Sequence, residues 1–206
     1  MEWTTNKNAH FLHDADKIMD AFYHFCHLAG PSQCALYSLT AAEIESRFNK
    51  VLANLKIHPV IVPASTSASL PEVVTYSSIK RLISAALYRP IILFPPLARI
   101  IVALETGDGQ PYLDVIQEYK MREDFSCSAG DPAGDYVIDD AFRAIMCSDG
   151  RPMTDDVEEF EKYANELQKL SKASGAVNVL FRISCAAWKA QAKWRFEGTL
   201  PQFLGS

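Results

Sequence analysis

At 206 residues, 49% of them hydrophobic, the chain carries enough apolar side chains for a buried core, which excludes a disordered tail. Its 25 acidic and 20 basic side chains leave a net charge of -5 with no lysine or arginine stripe, which excludes a nucleic-acid surface. The opening MEWTTNKNAHFLHDADK has neither the basic start nor the apolar run of a secretory signal. The most apolar stretch, 89–104, is interrupted by Pro90, Pro95, Pro96 and Arg99 and falls short of the roughly 20 apolar residues that cross a bilayer. The expectation is a cytoplasmic chain with no membrane partner.

In chain order the pattern is mostly helical. Asp14 is placed to cap a helix from Ala15 to about Ala29 with Ile18, Ala21, Phe22, Phe25 and Cys26 inward, and Gly30-Pro31 stops it. Thr40-Ala41-Ala42-Glu43 is a capping box, and the helix behind it presents Ile44, Phe48, Val51, Leu52 and Leu55 before Pro59. HPVIVP (58–63) suits an edge strand or an extended connector. A third helix is expected from Ser77 or Ser78 to Tyr88, with Ile79, Leu82, Ile83 and Ala86 inward, and a fourth from Leu97 to Glu105, ending at Gly107-Asp108-Gly109.

Residues 122–136, REDFSCSAGDPAGDY, have the composition of an exposed loop, and Val137 to Cys147 return to the core. Thr154 opens a long helix with Asp155, Asp156, Glu158 and Glu159 at its positive end and Val157, Phe160, Ala164, Leu167 and Leu170 inward, and Gly175 closes it.

The chemical motifs are conspicuous by omission. The sequence contains no G-x-S-x-G nucleophile elbow and no glycine loop that would cradle a phosphate. All five histidines lie at or before His58. His10-x-x-His13 with Asp14, and His24-x-x-His27 beside Cys26, offer nitrogen and sulfur, but without a second cluster at finger or H-E-x-x-H spacing they read as surface or satisfied helix histidines. Neither a metal nor a cofactor is expected. Cys26 and Cys34 flank the Gly30-Pro31 turn, and Cys147 and Cys185 bracket the acidic helix. Two disulfides with Cys127 left over, or reduced buried thiols, both fit this spacing.

Five motifs recur in a fixed order: F-x-x-F-C-x-x-A-G-P-x-x-C-A-L (22–36), A-L-Y-x-P (86–90), E-x-G-D-G (105–109), A-I-x-C-S-D-G (144–150) and C-A-A-W (185–188). Together they resemble the tripeptidyl-aminopeptidase-like branch of the α/β-hydrolases, of the peptidase S33 type common in filamentous fungi. The resemblance implies a mainly α fold: a helical, cap-like domain over 1–206 with a few short strands and an incomplete α/β core, divided into a helical cap (1–136) and a return segment with a long helix (137–206). In that family the serine elbow precedes these segments, and the triad aspartate and histidine follow them. No catalytic residue therefore carries over, and a Ser-His-Asp mechanism is not expected of these residues alone.

What remains is a hydrolase-type cap that binds a small apolar molecule or a peptide end, permissibly within fungal natural-product metabolism; members of such a family are often secreted. Phe22, Tyr23, Phe25, Phe94 and Tyr112, with Phe11 and Leu93, are the candidate pocket lining, and ordinary helix core is the other reading of the same residues. A second class is a non-hydrolytic cyclase or isomerase, for which His13, Asp14, Asp16 and Asp149 are the acid–base candidates. A third is an interaction module that docks on a separate catalytic core or associates with itself.

Overall fold

The computed structural model describes residues 12–64, 70–119 and 137–194, the last stretch without the side chains of 137–140. Phe11, His10, Cys127 and the whole of the expected 122–136 loop lie outside the described residues. The fold is mainly helical: α1 (Ala15–Ala29), α2 (Ala41–Leu55), β1 (Val60–Val62), β2 (Glu72–Val74), α3 (Tyr76–Tyr88), α4 (Pro90–Glu105), α5 (Gln110–Glu118), α6 (Val137–Asp149), α7 (Val157–Leu170) and α8 (Gly175–Ile183). Among the described residues no helix is long and apolar enough to cross a membrane.

The chain forms two compact bodies. The first comprises residues 14–64, 70–119 and 172–174, and the second comprises 12–13, 137–171 and 175–194.

In the first body α1 and α2 pack on each other, α3 on α4, and α4 on α5. The buried stripe of α2 is the expected Ile44, Phe48, Val51, Leu52 and Leu55. The Thr40 hydroxyl caps α2 by accepting the N–H of Glu43 at 3.1 Å. Phe22, Tyr23, Phe48 and Phe94 meet edge to face with ring centroids 5.0 to 5.9 Å apart, a geometry that sets positive ring edges against negative faces. Arg47 ties three segments together. Its guanidinium forks onto both carboxylate oxygens of Glu105 (2.9 and 2.7 Å) and also donates to the carbonyls of Leu36 and Tyr37. That carboxylate holds the Arg47 pKa above its ordinary value. Cys26 and Cys34 close a disulfide across the Gly30 turn, where φ is +76°.

The strands β1 and β2 form one antiparallel pair with Val60 opposite Val74 and Val62 opposite Glu72. Gly109 lies beneath them: a Cβ there would come within 2.6 Å of Val62 Cγ2 and 2.9 Å of Val74 Cγ2. The last glycine of E-x-G-D-G thus lets α5 begin directly against the sheet.

Four expectations are corrected in detail. The side chain of Asp14 makes no capping hydrogen bond to α1 and pairs with Lys17 instead. The buried stripe of α1 is Ala15, Met19, Phe22, Tyr23 and Cys26, one residue round from the expected face, so Phe25 is exposed. The fourth helix begins at Pro90, and Pro95 and Pro96 lie within it. Pro90 suits a first helical position because its missing N–H would have no partner there.

The fourth correction concerns the second body. The N-cap of α7 is Asp156, in a reciprocal box with Glu159, while Val157 is exposed and Tyr163 takes an inward place. Gly175 does not end α7, which stops at Leu170. It opens α8, where a Cβ would sit 2.1 Å from the Leu167 carbonyl oxygen. α7 and α8 pack on each other. Arg182 of α8, 5% exposed, pairs with Asp155 and lies over the Tyr163 ring at 5.2 Å. Cys147 of α6 is bonded to Cys185, and Trp188 packs against the pair while donating to Ser148 Oγ at 3.0 Å.

Candidate functional site

Two adjacent stripes run along α1, separated by about 100° of helix rotation. The one starting at Ala15 enters the core. The other, Asp14, Lys17, Ile18, Ala21 and Phe25, follows an i, i+3, i+4, i+7, i+11 spacing and forms one wall of an open groove. The opposite wall is the first turn of α4, Pro90, Ile91 and Phe94. The groove encloses about 430 Å³, the scale of a small-molecule site. Apolar side chains form most of its surface. Its one ionic feature is the Lys17 ammonium, 2.7 Å from the Asp14 carboxylate, and that hydrogen bond raises the Lys17 pKa.

The groove exists because α4 starts at Pro90. Had the helix begun at Leu97, as its prolines suggest, no wall would face α1. Phe94 both lines the groove and stacks edge to face on Phe22, so the aromatic cluster beneath fixes the floor.

Of the sequence candidates, Phe25, Phe94 and Asp14 meet at this groove. Phe22 and Tyr23 lie in the core, and burial pushes the Tyr23 hydroxyl pKa up, with nearby Glu45, Asp20 and Asp16 adding to the shift. Tyr112 is half-buried against the core, and Leu93 is buried. His13 is exposed, and Asp149 is exposed at the last residue of α6. Asp14, open to solvent and paired with Lys17, lacks the desolvated setting that tunes a carboxylate for proton transfer. His27 donates its Nδ1–H to the Ser38 carbonyl (3.1 Å) and stacks on Tyr37, while its neighbour Cys26 is committed to sulfur. Among the described residues no three His, Cys, Asp or Glu side chains gather as a metal site.

Sequence reasoning missed one polar cluster. Lys80 of α3 is 3% exposed, and its ammonium donates to the carbonyls of Lys172 and Ala173. The Asp16 carboxylate accepts the N–H groups of the same two residues, at 2.9 and 3.0 Å. One turn on from Lys80, Ser84 Oγ is 3.0 Å from Ser174 Oγ. A lysine and two serines have the elements of a nucleophile and base, yet Lys80 and Ser174 are closed to solvent and the ammonium is engaged by carbonyls. The cluster is a clamp on a short backbone segment. Its signal in the sequence was a charged residue, Lys80, next to Ile79 within an otherwise apolar helix face.

Comparison with protein-family models, with curated proteins and with solved structures finds no match for this chain.

Proposed function

We propose that the chain is a ligand-binding, cap-like element of an α/β-hydrolase-type protein, and that it receives a small apolar molecule or the apolar end of a peptide in the groove between α1 and α4. One observation carries the reading: a groove of about 430 Å³ that keeps Phe25 and Ile91 exposed at its walls, 62% and 92% respectively, instead of burying them in the core. Large apolar side chains held open around a concavity favour a ligand that removes them from water. The ordered motifs from Phe22 to Trp188 support the hydrolase-type ancestry. With no G-x-S-x-G among its residues, the chain contributes binding, and a serine nucleophile with its base would have to come from elsewhere.

The test is titration of the chain with a neutral naphthylamine fluorophore that brightens in apolar surroundings. Ala21 lies on the groove wall and is only partly buried, so Ala21→Trp fills the groove while leaving the core stripe intact. The wild-type chain is expected to bind the fluorophore saturably, and Ala21→Trp to weaken it at least tenfold. Equal binding by both forms refutes the reading.

A further inference from the structure

We propose that the corner where α3 turns into α4 is a docking surface for an anionic lipid surface. The corner holds an unusual run of exposed apolar side chains: Tyr88 is 77% exposed, and Ile91 and Ile92 follow it directly after Arg89 and Pro90. Phe25 stands exposed on the other wall of the groove that Ile91 lines. Isolated exposed apolar residues are ordinary, but several grouped at one turn mark a contact surface.

The charge around this turn points to the partner. From Val73 to Leu104 the sequence carries no aspartate or glutamate, and its charged residues are Lys80, Arg81, Arg89 and Arg99. This is an all-cationic stretch within a chain of net charge -5. Lys80 is buried in its clamp, while the three arginines are exposed.

Helix periodicity places them beside the apolar residues. Arg81 and Tyr88 are seven residues apart on α3, and Ile92, Pro95 and Arg99 follow i, i+3, i+7 along α4, all of them exposed. The result is an apolar tip with arginines on its flanks, the arrangement that lets a helical corner sink its tip below lipid headgroups while cations meet the phosphates. Tyr88 suits the boundary, being apolar in its ring and polar at its hydroxyl. The nearest acid on the groove wall, Asp14, is neutralised by Lys17. The association departs from the expectation of no membrane partner and is peripheral, because no described helix can cross the bilayer.

The proposal needs only the surface around the groove, and co-sedimentation of the full chain with vesicles tests it. With phosphatidylcholine vesicles containing about one-third phosphatidylserine, the chain is expected to sediment. With phosphatidylcholine alone, binding should fall at least tenfold. Each exposed cation near an anionic surface is worth about fivefold, so Arg81→Gln with Arg89→Gln should weaken binding about 25-fold. Ile91→Ser with Ile92→Ser should abolish it. These residues are exposed, so the helical circular dichroism should stay unchanged. Ala21→Trp, which blocks the groove, should still sediment like the wild type. No sedimentation of the wild type, equal binding to both vesicle types, or unchanged binding of either double variant overturns the proposal. Loss of sedimentation in Ala21→Trp also overturns it, by assigning the lipid to the groove. Fluorophore binding without vesicle binding leaves the groove reading standing and sinks this one alone.

Discussion

Lys80 shows how a single charged side chain can be kept out of water when backbone carbonyls surround it. Burial outweighs the attraction of Asp16, and with a smaller push from Lys56 it lowers the Lys80 pKa from 10.5 to about 8. The unfolded chain therefore holds a proton on Lys80 between pH 8 and 10.5 that the folded chain has released. Stability must rise with pH through that window, by an amount on the order of 3 kcal/mol at most, and Lys80 contributes no pH dependence below it. Chemical denaturation of the wild type and Lys80→Met at several pH values checks this. The wild-type stability should climb relative to that of the variant between pH 8 and 10.5; parallel curves would show that the ammonium is not desolvated. The sequence offered only a hint of this, a charged residue beside Ile79 on an apolar face, because a lysine's burial depends on the Lys172 and Ala173 carbonyls, which come from more than 90 positions away.

At the scale of elements, the helices that read correctly were those whose spacing alone fixes the buried face. α2 is the clearest, with a capping threonine and five apolar residues on one stripe. α1 had the right ends, but two stripes were apolar enough to be the inner one, and only packing against Phe48 and Phe94 decided between them. α4 was misjudged because proline is a poor helix former. Pro95 and Pro96 remove the N–H groups that would bond the carbonyls of Ile91 and Ile92, yet burial of Leu93, Pro96 and Leu97 carries the helix through. Pro95 is exposed. Pro95→Ala should thus restore one helical hydrogen bond and stabilise the first body by about 1–2 kcal/mol, after the greater freedom of the unfolded alanine chain is subtracted. A lower denaturation midpoint for the variant would mean that the proline is matched to a geometry that alanine cannot hold. α5 and α8 escaped the sequence reading because both are short, at 9 residues each, and begin at a glycine or just after one, which reads as a stop.

For the molecule as a whole, each disulfide staples its own body. Cys26 and Cys34 are 8 residues apart, and Cys147 and Cys185 are 38 apart. The entropy that each removes from the unfolded chain grows with that separation, giving about 2.5 and about 4 kcal/mol respectively. Replacing Cys147 and Cys185 by serine should lower the unfolding transition of the second body more than replacing Cys26 and Cys34 lowers that of the first. Thermal melts with and without reductant would check the order. The reverse order would mean that the helical packing around Cys147 is self-sufficient.

Local sequence was enough for the helical character, for the positions of α1, α2 and α3 to within a residue or two, and for the absence of a serine elbow. These are local properties, set by apolar spacing, capping residues and motif composition over a dozen positions. The tertiary structure decided which stripe of α1 turns inward, that α4 begins at Pro90 so that a groove opens beside Phe25, and that Lys80 is buried. Each of those depends on partners distant in the chain, whose contacts can outweigh local preference and cannot be counted until the chain has folded.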